Sequence, residues 1–200
     1  MGAIKYENPE AGAFKYGSIR LESLLEAIDQ RLGVKLTFPN PFPDEFGLMS
    51  TRGIIGVRAV HAIYQAWRIR ELLRGIPNPR VVEIGGGLGR TAFYSSQLGV
   101  EDYTIIDLPF TAVAQGYFLM RTLGEEKVIL HGESAAAESK IKLLQPSAFL
   151  ESTDRVDLIV NVDSMTEFDR ETADRYWRQI KRGSTKFLSI NHEGNPFTVK

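Results

Sequence analysis

VVEIGGGLGR, residues 81–90, carries the strongest signal in the chain. Residues 81–84 read as a short apolar strand. Gly85, Gly86, Gly87 and Gly89 follow at once, and a helical pattern begins near Arg90. Glycine allows a tight turn and lets a ligand approach the backbone closely. Two phosphate-binding loops share this outline and both fail on spacing. A G-x-G-x-x-G fingerprint started at Gly85 puts Arg90 where the third glycine is required, and a start at Gly87 fails as well. A phosphate-cradling loop needs Gly-Lys-Ser/Thr, which the segment lacks. What remains is E-x-G-x-G-x-G, formed by Glu83, Gly85, Gly87 and Gly89. An ordinary strand-to-helix turn would account for neither the alternating glycines nor the acids on either side.

Downstream, the texture alternates between strand and helix. Residues 103–106 form a second strand, ending at Asp107. A carboxylate there can accept hydrogen bonds from two ribose hydroxyls, in dehydrogenases as elsewhere. Pro109 suits a first helical turn, and Phe110, Val113, Ala114 and Tyr117 give that helix an apolar stripe. Residues 128–130 and 141–144 are both candidates for the third strand of the sheet. DLIVNV, residues 157–162, reads as a buried parallel strand. Asp169 caps a helix with Ala173, Tyr176, Trp177 and Ile180 on one face, and residues 187–190 form the last strand. This rhythm predicts an α/β fold, a Rossmann-like doubly wound, mostly parallel sheet with ligands at the carboxyl ends of its strands.

Upstream, residues 1–18 read as a loose arm, and residues 19–32 as a short helix capped by Ser18 and stopped by Gly33. Pro39, Pro41 and Pro43 forbid a regular element, while Phe38, Phe42 and Phe46 imply a packed loop. Residues 54–74 predict the longest helix, with Val60, Ile63, Tyr64 and Trp67 at i, i+3, i+4 and i+7. The expected division is an N-terminal arm and helical cap over residues 1–76 and a Rossmann-like domain over 77–200. Composition agrees with an ordinary folded domain: 200 residues, 43% hydrophobic and 24% charged, with net charge -1. That balance gives no global pull toward nucleic acid or anionic membrane. With no cysteine, disulfides and cysteine-based zinc sites are excluded. Neither a signal-peptide pattern nor a long apolar run appears, so the expectation is a soluble cytoplasmic protein.

The E-x-G-x-G-x-G segment resembles the first motif of class I S-adenosylmethionine-dependent methyltransferases. DLIVNVDSMTEF (residues 157–168), FLSINHEGNPF (187–197) and GLMSTRGIIGVRAVHAIYQAWRIREL (47–72) extend the resemblance to the sugar O-methyltransferase group, over roughly residues 46–200. The resemblance implies S-adenosyl-L-methionine as cofactor, held by Glu83, Gly85, Gly86, Gly87, Gly89, Asp107 and Leu108. Glu83 would act around the methionyl ammonium. The implied reaction is transfer of a methyl group to a hydroxyl of a sugar or glycosylated metabolite. Such proteins usually close the sheet with an antiparallel pair, and only ten residues follow FLSI here. The expectation is therefore five or six strands, with the closing strands missing.

A sugar hydroxyl is a poor nucleophile at neutral pH, so a general base helps. Asp163 and Glu167 follow the strand DLIVNV, and His192 follows FLSI, which makes these three the catalytic candidates. Glu167 is equally readable as a helix-start carboxylate favoured by the dipole. His61 and His131 read as packed or surface histidines, and Arg52 as a solvated loop arginine or an acceptor contact. A hard cation needs several oxygen ligands, and the fifth strand ends in Asn-His, so no metal is expected. The rival enzyme class is an NAD(P)-dependent oxidoreductase, disfavoured by the glycine spacing and by the lack of a Tyr-x-x-x-Lys pair. A catalytically inactive binding module of the same fold is the non-enzyme alternative.

Overall fold

A computed structural model describes residues 20–43, 45–134 and 140–191. The chain divides into two compact units, Met1–Lys35 and Leu36–Lys200. In the first, helix α1 (Leu21–Leu32) ends at Gly33, whose φ of 73° lets its N–H reach the Asp29 carbonyl. The anticipated cap, Ser18, lies outside the described residues; Arg20 holds the N-cap position with no side-chain hydrogen bond.

The second unit begins with the proline-rich loop and a small hairpin, β1 (Leu48–Ser50) and β2 (Gly53–Ile55), which pair antiparallel. Phe38 is buried and lies near Tyr94, with ring centroids 6.4 Å apart, so the loop is packed as expected; Phe46, in contrast, is 92% exposed. Helix α2 (Val57–Leu72) follows. Its inward face differs from the predicted stripe. Ala59, Ala62, Ala66 and Ile69 are buried, while Val60 and Tyr64 are exposed. α2 lies against α3 (Arg90–Gln97), and three of its four buried residues are small alanines.

The main sheet contains β3 (Arg80–Ile84), β4 (Asp102–Ile106), β5 (Val128–Leu130), β6 (Ile141–Leu144), β7 (Leu158–Val162) and β8 (Phe187–Ile190). Its order is β5-β6-β4-β3-β7-β8. All five pairings are parallel. Both candidates for the third strand are used: β6 pairs with β4, and β5 lies outside it at the edge. Helices α4 (Pro109–Leu123), α5 (Pro146–Glu151) and α6 (Arg170–Gly183) complete the unit. Alternate side chains point to opposite faces of a strand. Val82, Ile84, Ile106 and Ile159 therefore meet Phe149, Tyr176 and Ile180 of α5 and α6 on one face. On α4 the predicted stripe again points outward: Phe110 is 93% and Val113 73% exposed, whereas Gln115, Gly116, Phe118 and Leu119 are buried. No helix among the described residues is long and apolar enough to cross a membrane.

This is a doubly wound α/β fold of Rossmann-like kind. From β3 the chain moves outward through β4 toward one edge, then returns to place β7 on the other side of β3. The direction reverses between β3 and β7, and a crevice forms there outside the carboxyl ends of the strands.

Candidate functional site

The glycine loop leaves β3 at that crevice. Gly85, Gly87 and Gly89 have φ values of 74°, 55° and 85°, conformations that side chains rarely adopt. Space constrains three of the four glycines, and at Gly85 and Gly89 it adds to the backbone conformation. A Cβ at Gly85 would collide with the Ser164 side chain, one at Gly86 would lie 2.7 Å from Ile105 Cγ2, and one at Gly89 would lie 3.0 Å from Leu119 Cδ1. Gly87 differs, because no atom lies within 4 Å of its would-be Cβ. Its open side belongs to a cavity of about 330 Å³ bordered by Arg58, His61 and Gln65 of α2, Glu83 of β3, the loop, and Asp163 after β7.

Glu83 forms the floor. It is 1% exposed, and its Oε2 accepts a hydrogen bond of 3.1 Å from the Tyr103 hydroxyl. Burial pushes its carboxyl up to about 7, against the opposing pull of hydrogen bonds from Tyr103 and Thr91; nearby Asp107 adds a smaller upward push. Burial likewise pushes the Tyr103 hydroxyl up, and Glu83 adds to it.

Asp107, at the end of β4, is held from two sides. Its Oδ1 accepts from the Leu108 N–H at 2.8 Å, and its Oδ2 accepts from Gln115 Nε2 at 2.7 Å. Gln115 Nε2 also donates to the Gly87 carbonyl at 2.9 Å, tying the loop to the carboxylate. Leu108 itself is the N-cap of α4 and is 62% exposed.

Across the seam, the end of β7 is locked to β3. Asn161 Nδ2 donates to the Ile84 carbonyl at 3.0 Å, and Ser164 Oγ donates to the same oxygen at 2.8 Å. Between them Asp163 has φ 58°, and the Ser164 N–H reaches back to the Val162 carbonyl at 2.7 Å. A non-glycine residue in such a three-residue turn is strained, and strain of this kind clusters at functional sites.

The residues singled out from sequence thus fall into three groups. Glu83, Gly85, Gly86, Gly87 and Asp163 border one cavity. Gly89, Asp107 and Leu108 stand behind or beside it, Gly89 as the N-cap of α3. Glu167 is exposed in a 3₁₀ turn, Met165–Glu167, and is not among the residues bordering the cavity. His192 lies outside the described residues. Arg52 sits in the β1–β2 turn with Nη1 3.5 Å from the Leu36 carbonyl, and His131 in the turn after β5. His61 is exposed, as a surface histidine would be, and with Arg58 and Gln65 of α2 it also borders the cavity. A histidine on a helix carries no signal of its own, and only the packing of α2 across the crevice brings it to the cavity.

No family model and no curated protein matches the chain. Solved structures do resemble it. The glycopeptide N-methyltransferase MtfA complexed with sinefungin is 16% identical, with 76% of this chain and 59% of MtfA covered and a TM-score of 0.48. The mitomycin 7-O-methyltransferase MmcR is also 16% identical, with 66% and 36% covered and a TM-score of 0.48. PH1948 from Pyrococcus horikoshii, assigned as an RNA methyltransferase, is 18% identical, with 86% and 74% covered and a TM-score of 0.47. This chain therefore spans 59% of the length of MtfA and 36% of MmcR.

Proposed function

We propose that the protein is an S-adenosylmethionine-dependent O-methyltransferase whose acceptor is a hydroxyl of a small molecule, a sugar or glycosylated metabolite. The observation that carries this reading is the loop itself. Gly87 turns an open, side-chain-free surface to the cavity, between a buried carboxyl near the carboxyl end of β3 and a fixed carboxylate at the end of β4. The donor and acceptor set fits a nucleoside with a cationic tail. Asp107 would accept from the ribose hydroxyls, Glu83 would face the ammonium once ionised, and Gly85, Gly86, Gly87 and Gly89 would leave room for the ligand, with Leu108 against the base. Arg90 stands where a dinucleotide fingerprint needs its third glycine. When bound, S-adenosylmethionine supplies a methyl group already activated on a sulfonium.

The chain's own work is then to orient an acceptor and remove its proton. Asp163 borders the cavity opposite α2 and is the described carboxylate suited to take that proton. His192 is the second candidate from sequence and Glu167 the third. Arg58 and His61 would contact the acceptor from the facing helix. The sugar class rests on the resemblance of residues 157–168 and 187–197 to sugar O-methyltransferases. No metal enters this reading, and neither nucleic acid nor membrane is an expected partner.

Calorimetric titration of the protein with S-adenosylmethionine and with NADH is the direct test. Binding of the first and none of the second is expected. Saturable NADH binding without S-adenosylmethionine binding would overturn the assignment.

A further inference from the structure

We infer that Gln115 is a positioning residue that makes the site selective for a ligand with a vicinal diol, a ribonucleoside rather than its 2′-deoxy counterpart. The inference rests on the nucleoside reading above and adds the residue that sets its specificity.

Gln115 lies on α4 and is 0% exposed. Its single amide nitrogen has two hydrogens, and both are used, one on the Gly87 carbonyl at 2.9 Å and one on Asp107 Oδ2 at 2.7 Å. Its Oε1 is buried with no hydrogen-bond partner among the described residues. A side chain chosen only to fill this space would be Leu or Met, which leave no orphan acceptor; buried unsatisfied groups in a native fold call for such a reason.

The consequence falls on Asp107. An ionised carboxylate offers about four lone-pair sites. Leu108 N–H takes one on Oδ1 and Gln115 takes one on Oδ2. One site on each oxygen is left, which matches two adjacent hydroxyls. Gln115 also fixes the carboxylate against Gly87, the loop position with open space beside it. Without the amide, Asp107 would rotate and lose its orientation before a ligand arrives, and preorganisation of that kind is what binding affinity draws on.

The test is calorimetric titration with S-adenosylhomocysteine and its 2′-deoxy counterpart, on wild type, Gln115→Met, Asp107→Ala and the double variant. Wild type should prefer the ribo ligand. Gln115→Met should weaken that ligand by about tenfold or more, the scale of a hydrogen bond to a charged group. The deoxy ligand keeps one hydroxyl for Asp107 and should be weakened less, so the preference shrinks. The double variant should be no weaker than Asp107→Ala alone. An unchanged preference in Gln115→Met, or equal weakening of both ligands, would mean a simple staple and overturn the inference. Should Gln115→Met not fold, glutamine-selective nitrogen labelling of wild type decides. The Gln115 side-chain amide signals should move further with the ribo ligand than with the deoxy one, and an equal or smaller shift with the ribo ligand overturns the proposal. Failure of wild type to bind either ligand would instead remove the nucleoside reading itself.

Discussion

Replacing Glu83 by glutamine should flatten the pH dependence of stability. In the folded protein the buried carboxyl holds its proton up to about 7, against an ordinary value of 4.5. Between those values the unfolded chain releases a proton that the folded chain keeps. Stability from this group is therefore full below pH 4.5, falls as pH rises, and is gone above about 7. The gap between 4.5 and about 7 corresponds to roughly 3.4 kcal/mol at 1.36 kcal/mol per pH unit. Roughly 2.5 kcal/mol of that is lost between pH 5 and pH 8. Glutamine is neutral, has nearly the same shape, and still offers an oxygen to the Tyr103 hydroxyl. Urea unfolding of wild type and Glu83→Gln at intervals from pH 5 to pH 8 measures the difference, since all other titrating groups are common to both. The variant should gain on wild type as pH rises and be the more stable protein above pH 7. A stability difference that stays constant with pH would refute the reasoning and put the Glu83 carboxylate in contact with water or an unrecognised cation.

Gly87→Val should abolish S-adenosylhomocysteine binding, because φ 55° disfavours a branched side chain and the side chain would project into open cavity space; titration together with a melting curve separates lost binding from lost folding. Asp107→Ala should weaken the same ligand by about 1.5–3 kcal/mol, read by calorimetry. Asp163→Asn should lower methyl transfer by on the order of 10²–10⁴ with cofactor affinity preserved, and near-normal turnover would move the base to His192 or Glu167. Phe118→Ala should cost about 3–5 kcal/mol in urea unfolding, because the ring is 1% exposed, packs edge-on to Phe93 and lies under the Arg90 guanidinium.

The sheet was legible because buried parallel strands write themselves as near-continuous apolar runs. VVEI runs straight into Gly85, and LIVNV is bounded by Asp157 and Asp163. Helix orientation was not legible. Periodicity marks the larger apolar residues, yet α2 buries alanines, and Val60 and Tyr64 are turned out. On α4, a buried glutamine faces inward while Phe110 and Val113 are turned out; its amide nitrogen is satisfied by Asp107 and by the Gly87 carbonyl, 28 residues away in sequence. The β1–β2 hairpin was invisible for another reason: its strands have three residues each, too few for an alternation to register. The loop half of the site could be read because glycine spacing is local. The α2 half, Arg58, His61 and Gln65, could not, because only tertiary packing carries those residues to the crevice.

The position of β3 has a consequence for how the molecule comes together in time. Its partner on one side, β4, begins soon after it in the chain, but the residues that close its other side are far away: Asn161 grips Ile84 across 77 residues. During synthesis the quartet β5-β6-β4-β3 can assemble while β7 has yet to be made, and the central strand of the finished sheet spends that interval as a bare edge, open to pairing with other chains. The crevice straddles this seam, so it is completed by a late pairing event. A ligand can bind there only once the seam is closed, so its effect should appear as slower unfolding rather than faster folding.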